Sequence, residues 1–306
     1  MLFKLLQVIP IESSNTPKFF ILLYTSFFME NYSKYLVIAS KKDTAGIAIT
    51  TNLSQFRKNP VLSSMEKDSS GFDFYLVDDE IIYTENLNLE KINKYDFIIF
   101  ASKHKSEKKQ KSLSVHAPGN WRKAEFGGED QKICPSSGLF QKHIFETLQS
   151  NAKKFQLEGY EITLECTHHG PLIDKPCVFI EIGSTEKEWA DRKAAFVISK
   201  TIAETVEEFK KNEYREVAVG IGGPHYCPGF NKVQLNSNIA LSHVISQYSL
   251  PLSEEMVKEA ITKTKEEIDF FLLDWKGLGN SEQRQQVTDI LDRLGVTYKR
   301  TSDIIK

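Results

Sequence analysis

The stretch Lys34-Tyr35-Leu36-Val37-Ile38-Ala39, followed by Asp43-Thr44-Ala45-Gly46, decides the fold class. Its first part is short, continuous and apolar, the pattern of a buried strand. Asp43 belongs to the residue types that cap helix N-termini, and a helix is expected from there to about Arg57. Working outward, the same alternation recurs. Strands are expected over 72–77, 97–101, 160–166, 176–182, 216–221 and 240–246. Helices are expected over 136–155, 186–211, 252–265 and 281–294. In the long helix Ala190, Ala194, Ile198, Ile202 and Val206 recur every four residues, with Phe209 beyond, which predicts a core-facing stripe. Thr185 with Glu188 predicts a capping box at its start. Short strands alternating with helices predict an α/β fold, a mixed and largely parallel sheet flanked by helices.

Composition narrows the function classes. The 306 residues are 41% hydrophobic and 26% charged, which excludes a disordered or collagen-like chain. The net charge of -2 excludes a uniformly basic nucleic-acid coat but not a local basic patch. Such a patch exists. Lys103, Lys105, Lys108, Lys109, Lys111, Arg122 and Lys123 face a single Glu107 between 102 and 124. Pro118-Gly119-Asn120 and Gly127-Gly128 predict that 102–130 is a basic loop insertion. Cys134, Cys166, Cys177 and Cys227 are too few and scattered for a disulfide framework, and no CxxC pair occurs, so a reducing cytoplasm is expected. The apolar run from Phe19 to Phe28 is too short to span a bilayer, and no membrane partner is expected. Residues 1–28 read as a non-native or weakly ordered extension before Met29, and 29–306 as a single domain.

Several strands end abruptly in Gly, His, Pro or charged residues, and ligand sites in open α/β sheets gather at strand ends. One such end is Ser102-Lys103-His104-Lys105-Ser106, followed by Leu113-x-x-His116-x-x-Gly119-Asn120. A solvated charged loop would explain these residues too. Another is Glu165-Cys166-Thr167-His168-His169-Gly170-Pro171. Strand alternation puts Cys166 and His168 on one side, a pair suited to zinc, and Glu165 and His169 on the other, a pair suited to proton transfer. A third is Gly222-Gly223-Pro224-His225-Tyr226-Cys227, where His225 and Cys227 at i, i+2 are candidate ligands. Its blander reading is a Pro/Gly-rich crossover. Phe179-Ile180-Glu181-Ile182-Gly183-Ser184 ends in a turn before a helix whose N-terminus suits an anion, or it is an ordinary turn. Walker, GxSxG and HExxH motifs are absent.

Together, Ser102-x-His104-x-Ser106, Leu113-x-x-His116-x-x-Gly119-Asn120, Glu165-x-Thr167-His168-His169-Gly170-Pro171, Glu181-x-Gly183-Ser184, Trp189 and Gly222-Gly223-x-His225-Tyr226 resemble the D-aminoacyl-tRNA deacylases of archaea and plants. The resemblance covers about residues 34–304. It implies a core like that of peptidyl-tRNA hydrolases and nucleoside phosphorylases. It implies hydrolysis of the ester between a D-amino acid and tRNA, a quality control of mischarged tRNA, by a zinc-associated monomer with one or two ions and no obligate protein partner. On this footing His168, His225, Cys166 and Cys227 are expected at the metal or the attacking water, and His169 with Glu165 as general base. The Gly222-Gly223 backbone is expected at the oxyanion. His104, His116, Asn120 and Ser184 are expected at the aminoacyl or adenosine end, and Lys103, Lys105, Lys108, Lys109 and Lys111 on the tRNA backbone. Two other classes compete. A nucleoside phosphorylase or nucleosidase has no use for a basic grip beside its mouth, and a non-catalytic RNA-binding protein does not require the histidine constellation.

Overall fold

The computed structural model describes residues 35–56, 71–85, 87, 89–209 and 216–305; the expected 1–28 extension lies outside them. The opening strand forms as expected. β1 (Tyr35–Ser40) pairs in parallel with β2 (Phe72–Val77) and β3 (Phe97–Lys105). β3 pairs in parallel with β6 (Cys177–Ser184), and β6 pairs antiparallel with β4 (Ser112–His116). β5 (Glu161–Leu164) closes the edge, giving the order β2-β1-β3-β6-β4-β5. A second sheet is all parallel, in the order β10-β9-β7-β8. It comprises β7 (Glu216–Ile221), β8 (Ile239–Ile245), β9 (Phe270–Leu273) and β10 (Tyr298–Arg300). The helices are α1 (Thr44–Leu53), α2 (Leu89–Ile92), α3 (Gly138–Lys154), α4 (Glu186–Trp189), α5 (Arg192–Glu208), α6 (Pro228–Asn236), α7 (Glu254–Thr262), α8 (Ser281–Arg293) and α9 (Thr301–Ile304).

Side chains alternate across a strand, and here the two faces of the first sheet differ in kind. One carries Ile99 and Ala101 of β3, Val178, Ile180 and Ile182 of β6, and Leu113 and Val115 of β4. Buried residues of α1, α3 and α5 cover it, with Phe140 seated 4.1 Å from Phe97 by ring centroid. Burying one such aromatic side chain contributes about 1.5–3 kcal/mol. The other face begins apolar, with Ile98, Phe100, Cys177 and Phe179. Toward the carboxyl end of β3 the same alternation turns polar: Ser102 and His104, then Glu181 on β6, then Ser112, Ser114 and His116 on β4, all buried. Glycine at position 183 makes room there. A Cβ would lie 2.5 Å from Ser112 Oγ and 2.9 Å from His104 Cδ2.

Two expectations change. The span 102–130 is not loop from its start, because β3 runs to Lys105 and β4 begins at Ser112. Strand β4 escapes a hydrophobicity reading because its alternate residues meet a polar site rather than oil. The expected helix over 186–211 is two. Asp191 accepts from the Lys193 and Ala194 N–H groups and starts α5 afresh. Thr185 gives its hydroxyl to Glu188 Oε2 at 2.5 Å, so the capping box is not made, and Ala190 is exposed at the break. Ala194, Ile198, Ile202 and Val206 are buried as the stripe predicts.

The segment after β5 ties the two sheets together. The Glu165 N–H donates to Val115 O of β4, Cys166 N–H to His225 O after β7, and Thr167 N–H to Val244 O of β8. His243 on β8 sits beneath it, fully buried. A carbonyl only accepts, so Nε2 carries the proton toward Lys263 O and Nδ1 accepts from the Thr167 hydroxyl. Burial pushes its pKa down to about 4, against the Lys263 carbonyl, which favours the charged form. The unfolded chain therefore takes up a proton near pH 6.5 that the fold refuses. Stability present above pH 6.5 should fall as pH drops toward 4, by up to about 3 kcal/mol from this group. Urea midpoints of wild type and His243→Gln between pH 7.5 and 4 measure it. The variant should lose that share of the slope, and parallel curves would refute the assignment.

Candidate active site and metal centre

Five of the seven histidines converge on two buried carboxylates. Glu165 leaves the end of β5, and Glu181 stands in the middle of β6. His104 Nδ1 lies 3.3 Å from Glu165 Oε1 and 3.7 Å from Glu181 Oε2. His116 Nε2 lies 3.4 Å from Glu181 Oε2 and 3.9 Å from Glu165 Oε2. His168 Nε2 and His225 Nε2 reach Glu165 Oε2 at 3.6 and 3.2 Å. His169 packs on His116 and His168, with centroids 4.9 and 4.3 Å apart.

The protons on these rings follow from their partners. His168 Nδ1 meets Cys166 O at 2.8 Å, His169 Nδ1 meets Gly170 O at 2.7 Å, and His116 Nδ1 meets Ala117 O at 3.2 Å. Each carbonyl can only accept, so each Nδ1 donates. A neutral ring then turns the lone pair of Nε2 outward. For His168 and His116 that lone pair points at carboxylate oxygens. Both oxygens of Glu165, Glu181 Oε2 and His116 Nε2 have no hydrogen-bond partner. Anionic oxygens facing imidazole nitrogens in a buried site are favoured by positive charge between them, a ring proton or a metal ion. Nδ1–H on a backbone carbonyl with Nε2 free is also the arrangement that orients metal-ligating histidines.

The donors form overlapping groups whose ligand atoms lie within 4.8 Å of one another. They are Cys166, His168 and His225; His104, Glu165 and His225; His116, Glu165 and Glu181; and His116, His168 and His169. Imidazole, carboxylate and one thiol are the donor set of zinc. Electrostatics divides the rings. Burial pushes His168 well down, helped by His169 and His116, and pushes His169 down to about 4 with help from His116. Burial also opposes charge on His104, but Glu165 and Glu181 outweigh it and raise His104 to about 9. His225 is raised to about 11 against its burial, by Cys166 and Glu165. Burial would raise the carboxyls too. Yet His104 and His225 hold Glu165, and His104 and His116 hold Glu181, far below the ordinary range.

A hydroxyl shell surrounds the cluster. Tyr226 OH is 3.1 Å from His104 Nε2. Tyr248 OH is 2.9 Å from Cys166 Sγ and 3.0 Å from His225 Nδ1.

The sequence-derived residues divide accordingly. His168, His225 and Cys166 meet in one group, and Glu165 sits at the hub. The hub's carboxylate contacts run to His104, His225, His168 and His116, not to His169 as strand alternation suggested, because β5 stops at Leu164 and 165–170 is irregular. His104 and His116, expected at the substrate end, belong to the cluster itself. Cys227 does not join it. Its thiol turns to Pro224 O and His225 O at the start of α6. The Gly222 N–H donates to Ile245 O at 2.7 Å, so it is not free for an oxyanion, and Gly223 packs against Asp274 and Gly277. Asn120 Nδ2 donates to Gly127 O and shapes its own loop. Ser184 gives its hydroxyl to Gln110 O, and the helix after it is a single turn, so no anion site forms there. Lys103 pairs with Glu80 and lies over Trp189, and Lys111 lies over Tyr160. Lys105, Lys108 and Lys109 are exposed and form no ion pair among the described residues.

Glu181 is the main residue the sequence reading left out of the site. Its signal was present, since a lone carboxylate inside Cys-Val-Phe-Ile-Glu-Ile cannot be buried without partners. Tyr248, on a polar turn, gives no such signal.

Comparison with known proteins gives the family. The family model of D-aminoacyl-tRNA deacylase matches residues 91–299. The D-aminoacyl-tRNA deacylase of Pyrococcus furiosus is 37% identical over 231 residues, 72% of this chain and 80% of its own. That of Methanocaldococcus jannaschii is 31% identical over 275 residues, 87% of this chain and 99% of its own. The crystal structure of a conserved protein of unknown function superposes with a TM-score of 0.78 at 31% identity, over 88% of this chain and 96% of that one. Among the described residues no helix is long and apolar enough to cross a membrane. Spanning more than half of the chain and every residue of the histidine–carboxylate cluster, the family match makes the assignment plain: this chain belongs to the D-aminoacyl-tRNA deacylase family.

Proposed function

We propose that the protein hydrolyses the ester of D-aminoacyl-tRNA, releasing free D-amino acid and reusable tRNA, at a zinc centre organised by Glu165 and Glu181. A cytoplasmic setting is part of this proposal. One observation carries the reading. Imidazoles fixed by Nδ1–H on backbone carbonyls aim Nε2 at carboxylate oxygens that have no hydrogen-bond partner. His104, His116, His168, His225, Glu165, Glu181 and Cys166 would hold one or two ions, with Glu165 shared between the donor groups. When bound, zinc supplies Lewis acidity at the ester carbonyl.

The protein's own residues supply the rest. His169 is neutral, and with its Nδ1 proton on Gly170 O it keeps Nε2 as a base for the attacking water. Tyr226 OH, 3.1 Å from His104 Nε2, fixes that ring so that its Nδ1 faces Glu165 and the ion that Glu165 would share. The buried floor of Phe179 and the Ser112 and Ser114 hydroxyls keeps bulk water from the carboxylates.

Matched D- and L-aminoacyl-tRNA test the reading directly: the D ester should be cleaved much faster, and equal rates or no cleavage would count against it. The exposed lysines at the β3–β4 turn are the proposed tRNA-backbone grip. Replacing Lys105, Lys108 and Lys109 by Ala should flatten the salt dependence of tRNA binding by about 0.7–0.9 log units per lost phosphate contact. Turnover of bound substrate should hold. An unchanged salt slope would return these residues to an ordinary solvated turn.

A further inference from the structure

Phe126 is 59% exposed and Tyr83 54% exposed, although most large aromatic side chains of the described residues are covered. Single exposed apolar residues are ordinary, so exposure alone decides nothing. Position does. Both rings sit on backbone that is locked to the catalytic segment. The Gly170 N–H, one residue after His169, donates to Phe126 O at 2.9 Å. Gly127 and Gly128 follow at φ 73° and 79°, a region that side chains rarely adopt. A Cβ on Gly127 would strike Ile82 O and lie 3.3 Å from Tyr83 Cδ1, and a Cβ on Gly170 would strike Gly128 N and Ile82 O. The Asn120 amide donates to Gly127 O at 2.8 Å, and Gly128 N–H donates to Glu85 Oε1 at 2.9 Å. Three backbone segments therefore press together without side chains between them, and the two exposed aromatic residues belong to that junction, whose third segment follows His169 of the cluster.

We propose that Phe126 and Tyr83 form a stacking platform for the unpaired nucleotides at the 3′ end of the tRNA. This rests on the deacylase reading and deepens it. The scissile ester lies on the terminal nucleotide, so the bases next to it are single-stranded and must pass close to the cluster. Unstacked bases at RNA ends are recognised by stacking on exposed aromatic side chains, with little demand on base identity. A rigid mount matters because a ring already fixed loses little entropy on binding. The platform thereby does for the single strand what lysines do for the phosphates, and it accepts any tRNA, since the 3′ end is common to all.

The probe is an RNA minihelix with a single-stranded ACCA end carrying 2-aminopurine at the last position. Binding to the wild type should change its fluorescence as the base stacks. Phe126→Leu and Tyr83→Leu should each remove much of that change and weaken binding about 5- to 100-fold. With D-aminoacyl-tRNA they should raise KM by a similar factor at unchanged kcat, and Phe126→Trp should restore both. A blunt minihelix should bind wild type and variants alike. Unchanged KM and fluorescence in Phe126→Leu would overturn the platform. So would a variant that alters only self-association in sedimentation, which would make the rings a contact between copies. If the wild type cleaves no aminoacyl-tRNA, the functional reading fails instead, and the fluorescence comparison reports on the platform separately.

Discussion

Glu165→Gln is expected to reduce kcat for D-aminoacyl-tRNA by about 10²–10⁴ while leaving the fold intact. The substitution keeps the shape of a side chain that is 1% exposed, so packing around it survives. What disappears is the negative charge that faces His104, His116, His168 and His225 at 3.2 to 3.9 Å. Every donor group with a carboxylate includes Glu165, so the variant should also lose most of its bound metal. Far-UV circular dichroism should match the wild type, and tRNA affinity should hold, because the lysines of the β3–β4 turn are untouched. Retention of both metal and wild-type rate would show that Glu165 is only a buried counter-ion.

Removal of the metal should have an effect of similar size. Dialysis against a strong chelator is expected to abolish most deacylation, and zinc added back should restore it. The same treatment should lower stability, because an ion that binds only the folded state stabilises it by about 4 kcal/mol at a thousand times its dissociation constant. The melting temperature should therefore drop by several degrees and recover with zinc. Such a change belongs to the site itself. Without a metal ion, the Nε2 atoms of His116 and His168 face Glu165 and Glu181 across 3.4 to 3.9 Å with nothing to bind them together. A chelated protein with full activity would make the cluster a proton-transfer network instead.

Much of this fold could be read from residue patterns. The apolar strands β1, β3, β6, β7 and β8 and the amphipathic helices α3 and α5 stand where their periodicity puts them. The strands that escaped were β4, β9 and β10. β9 is an apolar run of four residues, too short to tell from a helix fragment, and β10 is partly exposed at an edge. β4 is the instructive case. Ser112, Ser114 and His116 alternate as a strand requires, but their inward side is polar, so hydrophobicity hid the period. Paired with Ser102 and His104 on β3 and the isolated Glu181 on β6, that alternation already drew the site. Spacing could identify His168, His225 and Cys166 as neighbours in space. It could not distinguish them from Cys227, because the left-handed backbone at Cys227, φ 49°, turns that thiol to its own loop. Nor could it show that the Gly222 N–H was already taken by β8. Those outcomes depend on how the two sheets meet, which no local pattern encodes.

The most direct measurement is the initial rate of hydrolysis of one D-aminoacyl-tRNA and its L counterpart, by zinc-loaded wild type and by Glu165→Gln, at equal tRNA occupancy. The account predicts rapid release of the D-amino acid by the wild type, much slower release of the L-amino acid, and a loss of about 10²–10⁴ in the variant with tRNA still bound. Hydrolysis that ignores the amino acid's configuration, or a variant as fast as the wild type, would contradict it.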